Sequence, residues 1–297
     1  MVLALAVMGM AEGAGVSRIA VVVSDDLEAY RAPTEAFLAE LGEQPRVYNL
    51  HGRKIEADRV IAELDRDDPA VVYCVGAKAA YAVKNGLPST PIVYAAVLDP
   101  PRYGIAGTQV TGVTMDVEPV TFLSQFVGFF PDVQTIGVIR GPDTTNARML
   151  AMTAAAVELG RELVVEEVGT GREVRGAFLS LARQGVDAMW VPPDRLALTT
   201  SGYRTISEEA RRRHLPLLVD TASMVEAGGL FTVVPSAEGI GRQAAALVTK
   251  ILDGASPAVL PAEDPEALLV VLNTRTLQSA ELPFDQLLLD FVDVVIK

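Results

Sequence analysis

The stretch IAVVVSDD, residues 19–26, decides the fold because a wholly apolar run ends abruptly in polar residues. A strand without alternating polar positions is typical of a parallel sheet whose two faces are both covered by helices. The segment that follows, APTEAFLAELG, has the apolar spacing of a helix. Strand-like runs then alternate with helical segments, which predicts an α/β fold. The further predicted elements are strands at 46–50, 71–75 and 91–97 and helices around 57–64 and 79–84.

The same pattern begins again in the second half of the chain. IGVIRGPD (136–143) corresponds to IAVVVSDD, and AMWVPPD (188–194) corresponds to VVYCVGA (71–77). PLLVDT (216–221) corresponds to PIVYAA (91–96) once a few residues are inserted. Matched elements in matched order predict two similar lobes, each a doubly wound and mainly parallel sheet.

The elements after the second copy are too few to form a third domain. They are the strand FTVVPS (231–236), a helix over 238–252, the strand ALLVVLN (267–273) and an apolar tail. We expect these pieces to complete the two lobes as crossover strands. Lobe 1 would then comprise residues 18–116 plus 228–258, and lobe 2 would comprise residues 117–227 plus 259–297.

Residues 1–17 have the character of a signal-peptide-like leader. The apolar run Val2–Met10 is too short to cross a bilayer but suits the hydrophobic region of a signal peptide, although no basic residue precedes it. We therefore expect a periplasmic or otherwise exported protein, with no direct insertion in the membrane after processing.

Charge and cysteine content exclude several classes of partner. The chain has 38 acidic and 25 basic residues and a net charge of −13, which disfavours nucleic acid and anionic lipid as partners. Its one cysteine, Cys74, lies in the apolar run VVYCV and is predicted to be a buried thiol. We expect no metal site and no cofactor.

Signatures of catalysis are absent from the sequence. It contains no phosphate-binding loop, zinc-protease motif, nucleophile elbow or paired CxxC. His51 and His214 have no evident partner in the sequence and are interpreted as surface residues. GIGRQA (239–244) matches a dinucleotide-binding pattern, but the alternative is a helix whose glycines allow close packing against a neighbour.

The candidate ligand-binding residues come from topology. Ligands of parallel α/β sheets bind beyond the carboxyl ends of the strands, so two such edges facing each other would form a cleft between the lobes. Tyr94 is included as an aromatic near that edge, although its position in a strand also fits the core. The candidates are Asp25, Ala77, Lys78, Tyr94 and Asp99 in lobe 1 and Thr144, Thr145, Asn146, Asp194, Arg195 and Asp220 in lobe 2.

Two of these assignments have ordinary structural alternatives. DTTN (143–146) precedes a helical run, so its hydroxyls and free N–H groups suit a ligand carboxylate, but one residue must also cap the helix. Asp99 precedes two prolines and either initiates a turn or accepts a hydrogen bond from a ligand ammonium.

The order of these motifs resembles the ABC-transporter substrate-binding family that includes tryptophan and tyrosine receptors. PIVYAAVLDP, PDTTN and VDAMWVPPD carry the resemblance, and GLFTVVPSAEGIGRQAAALVTKILDG is its most specific segment. The resemblance covers nearly the whole chain. It implies the type I periplasmic-binding-protein fold, a venus-flytrap receptor without catalysis, and a small ligand, with amino acids favoured. It also implies an ABC permease and ATPase as partners, and it places the PDTTN and VLDP loops at the ligand.

The chain departs from the family pattern near the predicted ligand. Ala77 stands where relatives commonly have threonine, and Arg140 and Gly141 replace a Tyr-Asn pair. The acidic residue after LPLLV is displaced to Asp220. These differences imply altered pocket chemistry.

Two other functions remain as alternatives at this point. A ligand-sensing module of the same fold would serve a signalling system, and such modules usually carry a DNA-binding or membrane segment. An α/β enzyme would need a nucleophile, a suitable histidine or a cofactor loop.

Overall fold

The computed structural model describes residues 18–41, 45–195 and 199–297, which form two compact α/β units. Among the described residues, unit 1 comprises those within 18–115 and 237–264, and unit 2 comprises those within 116–236 and 265–297. The predicted leader at 1–17 lies outside the described residues. No described helix has the length and apolar character needed to span a membrane.

The chain enters unit 1 for the second time later than the sequence predicts. The expected boundary at 227 would have placed residues 228–236 in the first lobe, but they belong to unit 2. The reason is strand pairing, because the strand Phe231–Pro235 pairs with Leu268–Asn273 in the second sheet. The return to unit 2 falls after Asp264 rather than after residue 258.

Unit 1 is built on a parallel sheet with strand order β2-β1-β3-β4-β5. Elements are numbered along the whole chain. The strands are β1 Ile19–Val23, β2 Arg46–Asn49, β3 Val71–Val75, β4 Ile92–Ala95 and β5 Val110–Gly112. The helices are α1 Arg31–Glu40, α2 Lys54–Asp67, α3 Ala77–Gly86 and α9 Ala237–Leu252, with short 3₁₀ turns at Glu28–Tyr30, Pro100–Tyr103 and Pro257–Val259.

The apolar strands of unit 1 are buried on both faces. Tyr73 of β3 packs with α1 and α9, whereas its neighbour Cys74 packs with α2 and α3 on the opposite face. Alternate side chains of a strand point to opposite faces, so a strand between two helix layers is apolar at every position. This confirms the predicted doubly wound arrangement and the buried position of Cys74.

Unit 2 repeats this architecture with the strand order β12-β11-β10-β9-β8-β6-β7. Its pairs are parallel except for β10 and β11. The strands are β6 Thr135–Arg140, β7 Glu162–Glu167, β8 Ala188–Val191, β9 Leu217–Val219, β10 Phe231–Pro235, β11 Leu268–Asn273 and β12 Val294–Ile296. The helices are α4 Pro119–Phe129, α5 Asn146–Glu158, α6 Val174–Arg183, α7 Thr200–Arg212, α8 Ala222–Glu226 and α10 Thr274–Ser279, with a 3₁₀ turn at Gln286–Phe291.

Glycine in the GIGRQA motif serves helix packing. A Cβ at Gly241 would lie 2.3 Å from the carbonyl oxygen of Pro33 and 3.0 Å from the Cβ of Ala36, so α9 approaches α1 too closely for any side chain. The packing interpretation of this motif is therefore confirmed.

Candidate functional site

The carboxyl edge of the unit 1 sheet gathers most of the candidates of that unit. Strands β1, β3 and β4 are parallel neighbours, so their following loops lie at the same edge. Asp25 follows β1, and Asp99 follows β4. Lys78 is the second residue of α3, the helix that follows β3. Topology therefore brings these three residues to one edge, as the sequence predicts.

The loop after β1 is held against the start of α3 by a buried serine. The Oγ of Ser24 accepts a hydrogen bond from the backbone N–H of Ala79 at 2.8 Å. Gly76 allows this approach, because its φ is +88° and a Cβ there would lie 2.6 Å from the Ser24 Oγ. The same Cβ would lie 2.7 Å from the ring of Tyr30, so Tyr30 also lies over this loop.

Charged residues of this edge are largely paired with one another. Lys78 Nζ lies 3.5 Å from a carboxylate oxygen of Asp25. Asp26 accepts a hydrogen bond from Asn49 Nδ2 at 2.7 Å and contacts His51 Nδ1 at 2.7 Å. His51 is exposed, as predicted, but it has a partner that the sequence did not indicate, because the turn after β2 carries it back to the loop after β1.

His214 also has a partner that the sequence did not indicate. Its Nδ1 lies 2.7 Å from the carbonyl oxygen of Ala280, which is distant in sequence.

Tyr30 is a hydroxyl donor at this edge. Burial raises its pKa, and the negative charges of Asp25 and then Tyr103 raise it further. The phenol therefore keeps its proton at neutral pH and remains able to donate a hydrogen bond.

The loop after β4 combines strained backbone with an unpaired carboxylate. Ala96 and Asp99 have φ values of 54° and 48°, in the left-handed region, which alanine rarely adopts and aspartate adopts more readily. Leu98 is exposed between them. The Asp99 side chain does not cap the following 3₁₀ turn, and among the described residues its carboxylate makes no hydrogen bond or ion pair. Strain of this kind concentrates at functional sites.

Tyr94 and Ala77 offer less to a ligand. Tyr94 is 4% exposed and belongs to the core between the sheet, α2 and α3, where its ring lies over Gly112. Ala77 is half-buried at the first position of α3 and has only a methyl group to offer.

The carboxyl edge of the unit 2 sheet gathers the second group of candidates. β6, β8 and β9 are parallel neighbours. Thr144, Thr145 and Asn146 follow β6, and Asp194 with Arg195 follows β8. Asp220 follows β9.

Asp194 and Asp143 fasten the loops after β6 and β8 to each other. Asp194 is fully buried, and its Oδ2 accepts hydrogen bonds from the backbone N–H groups of Asp143 at 2.7 Å and Thr144 at 3.1 Å. In return, Asp143 accepts a hydrogen bond from the backbone N–H of Arg195 at 3.1 Å. Gly141 makes room for this contact, because a Cβ there would lie 2.1 Å from Asp194 Oδ1.

The braced loop presents Thr145 and Asn146 at the start of α5. Both are exposed, whereas Thr144 is buried. Thr145 is the capping residue, because its Oγ1 accepts a hydrogen bond from the backbone N–H of Arg148 at 3.2 Å. Asn146 accepts a hydrogen bond from Arg140, which also pairs with Glu167 at 3.0 Å. The exposed hydroxyl, amide and helix N-terminus together suit an anionic group.

Asp220 is held by two partners and not left open. It forms an ion pair with Arg148 at 2.5 Å and accepts a hydrogen bond from Trp190 Nε1 at 2.9 Å. Burial raises the pKa of Asp220, although the charge of Arg148 and the bond from Trp190 oppose that shift. The sequence did not predict this function of Arg148, because nothing about its position in α5 indicates a contact with Asp220 after β9.

The comparisons with known proteins agree with this architecture. The family model described as ABC transporter substrate binding protein matches residues 34–295. A tyrosine-binding protein from Clostridioides difficile is 24% identical over 73% of this chain. That match spans 64% of the relative's own length, which is less than two thirds.

Two solved structures share the fold over nearly the whole chain. The ligand-free, open structure of a substrate binding protein with adhesive properties from Clostridium difficile has a TM-score of 0.79 and 21% identity, covering 94% of this chain and 98% of its own. An ABC domain in complex with L-Trp from Streptococcus pneumonia has a TM-score of 0.63 and 21% identity, covering 94% of this chain and 99% of its own. The fold is therefore that of the type I periplasmic binding proteins.

Proposed function

Since the chain belongs to the ABC transporter substrate-binding protein family, we propose that it binds a small polar ligand, with amino acids favoured, and delivers it to an ABC permease and ATPase. In this proposal the two lobes close around the ligand, as the family resemblance implies. The chain performs no chemistry on the ligand and acts on the exported side of the membrane.

The observation that carries this proposal is the open carboxylate of Asp99. Five other aspartates in loops after the strands are engaged by Lys78, His51, Arg148 or backbone N–H groups, namely Asp25, Asp26, Asp143, Asp194 and Asp220. Asp99 is exposed and its carboxylate has no partner among the described residues. A carboxylate in that state suits a ligand ammonium.

The start of α5 supplies the complementary chemistry. Thr145 and Asn146 are exposed there, and Asp194 fixes the loop that carries them. A ligand carboxylate is favoured at a helix N-terminus where the Thr145 hydroxyl proton and the Asn146 Nδ2 group can still donate hydrogen bonds. Asp99 of unit 1 suits an ammonium and the start of α5 in unit 2 suits a carboxylate, and an α-amino acid carries both groups.

The names of the relatives bear on which side chain the amino acid ligand carries. The relatives' names, a tyrosine-binding protein and an L-Trp complex, favour an aromatic amino acid. Asp220 is engaged by Arg148 and Trp190 in this chain, so we expect Asp99 to be the residue that binds the ammonium.

A thermal denaturation screen tests the function. The protein is unfolded and refolded to remove any ligand acquired during expression, then heated with each amino acid, small peptides, polyamines, purines and sugars. A ligand at 100 times its Kd stabilises the native state by about 2.7 kcal/mol, or roughly 5–10 °C in Tm for domains of this size. We expect shifts confined to amino acids.

Two outcomes of the screen would count against the proposal. If only sugars or purines raised the Tm, the ligand would belong to that class and not to the amino acids. If no compound raised the Tm, the proposal that the protein is a receptor would be contradicted. Mass spectrometry of the bound compound should recover it unchanged, whereas a product would indicate catalysis.

A further inference from the structure

Unit 1 has a groove whose lining differs largely from the residues of the site proposed above. It runs between α2 and α3 as far as the turn Pro100–Tyr103 and has a volume of about 870 Å³. Pockets for small molecules are typically about 300–1,000 Å³. Only Ala77 and Lys78 belong both to this groove and to the predicted ligand residues.

Each helix contributes one face to the groove. Residues three, four and seven positions apart lie on the same side of a helix. Both stripes begin with a lysine, and both helices follow parallel strands, so the two lysines lie at the same end. The stripes are Lys54, Ala57, Asp58 and Ile61 in α2 and Lys78, Tyr81, Ala82 and Asn85 in α3.

The end of the groove away from the lysines is closed and is lined by Ile61, Gly86 and Asn85. A Cβ at Gly86 would lie 2.5 Å from Ile61, so α2 and α3 are in contact there. Tyr81 lies midway along the α3 stripe and Tyr103 lies toward the lysine end beside Arg102, and the two residues are 56% and 46% exposed. Exposed aromatic rings that line a cavity are suited to an apolar or aromatic body.

The other end of the groove is cationic, in contrast to the negative net charge of the whole chain. Arg53, Lys54, Lys78 and Arg102 line the groove with a single carboxylate, Asp58, in a protein of net charge −13. Arg53 pairs with Glu56 at 3.0 Å and Lys78 lies near Asp25. Within the described part of the chain, Lys54 and Arg102 form no ion pair.

We propose that this groove binds a small amphipathic carboxylate, with its aromatic body against Tyr81 and Ile61 and its anionic group at Lys54 and Arg102. The ligand is a second one, distinct from the transported compound. Its charge matches the cationic end of the groove, and its apolar body matches Tyr81 and Ile61.

The test uses 4-phenylbutyrate as the probe and its neutral amide, 4-phenylbutyramide, as the matched ligand. Both are titrated calorimetrically into the full chain. We expect the carboxylate to bind at least tenfold more tightly than the amide, with an affinity that falls as salt rises. Lys54→Gln combined with Arg102→Gln should remove the preference for the carboxylate, and Tyr81→Ala should weaken both ligands at least fivefold.

Control variants distinguish the groove from other sites. Lys84→Gln changes a lysine of α3 that does not line the groove and should bind the probe like the wild type. Asp99→Asn should also leave probe binding unchanged. Equal binding of acid and amide, no binding at millimolar probe, or loss of binding in Asp99→Asn but not in Tyr81→Ala would overturn the proposal.

Discussion

The buried carboxylate of Asp194 binds Thr144 twice, through the backbone N–H at 3.1 Å and the hydroxyl at 3.4 Å. Thr144 immediately precedes the residue that caps α5, so a side chain after β8 determines where the exposed start of α5 lies. The loop that bears Thr145 and Asn146 is thereby fixed before any ligand arrives. Preorganisation of this kind lowers the entropic cost of binding.

Asp194→Ala should destabilise unit 2 by about 3 kcal/mol, because buried N–H and hydroxyl donors lose a charged acceptor. It should also weaken amino-acid binding. Urea unfolding followed by Trp190 fluorescence measures the stability, since Trp190 is the only tryptophan and lies in unit 2.

Asp187 provides the matched control for Asp194. Its exposed carboxylate accepts two backbone N–H bonds at the amino edge of the same sheet, at 3.0 and 2.9 Å. Asp187→Ala should cost only about 1 kcal/mol and leave ligand affinity unchanged. Equal losses of affinity in both variants would contradict a specific function of Asp194.

Asp220 should make unit 2 less stable as pH rises. Its pKa is raised in the folded state, so from about pH 3.8 upward the unfolded chain loses this proton first. The free energy of unfolding should therefore fall with pH until the folded carboxyl has also ionised. The Asp220→Asn variant should not show this fall in urea titrations between pH 3.5 and 7. If the free energy of unfolding of the wild type rose relative to that of the variant as pH increased, the prediction would be refuted.

Glu209 should have the opposite effect. Burial opposes its ionisation, but hydrogen bonds and charges from Arg175 and Arg213 outweigh that cost and lower its pKa. Its stabilising contribution is present above about pH 4.5 and is lost as pH falls through the lowered pKa. Glu209→Gln should cost about 2 kcal/mol at pH 7 and progressively less in acid, measured by the same Trp190 signal. A cost independent of pH would show that the charge of Glu209 contributes nothing.

Gly241→Ala should destabilise unit 1 by about 3 kcal/mol, because its Cβ would meet backbone of α1. Gly176 lies in the first turn of α6 with open space around it, so Gly176→Ala should stabilise its helix by about 0.5 kcal/mol. Differential scanning calorimetry compares the two variants. A Gly241→Ala protein as stable as the wild type would mean that α1 and α9 are packed more loosely than described.

The strands buried on both faces could be predicted well from sequence. β1 and β3 begin and end at the predicted residues, because an unbroken apolar run identifies a strand between two helix layers. The predicted strand at 91–97 is shorter in the structure, and β4 ends at Ala95. Its last residues turn away because Ala96 adopts a positive φ, which no residue preference of alanine signals.

Edge elements were harder to predict. β7 is half exposed with alternating polar residues, and β12 lies in an apolar tail that the sequence placed only in general terms. Pairing of β10 with β11 depends on contacts between distant segments, so the domain boundary near 227 was misplaced.

Topology also predicted which loops share an edge, but not how their side chains pair. That Asp194 is buried and braced, that Asp220 binds Arg148, and that Asp99 stays open depend on three-dimensional contacts. The binding assignments of the individual residues stay predictions until ligand affinities are measured.

Calorimetric titration of refolded protein with each amino acid tests the central claim most directly, with Asp99→Asn compared against Asp68→Asn. Asp68 is an exposed aspartate in the same left-handed conformation, with φ of 43°, at the end of α2. Asparagine tolerates that conformation, so neither change should disturb the fold. The account predicts saturable 1:1 binding of at least one amino acid, weakened at least tenfold by Asp99→Asn and within twofold of wild type for Asp68→Asn. Binding of no amino acid, or equal affinity in the two variants, would contradict it.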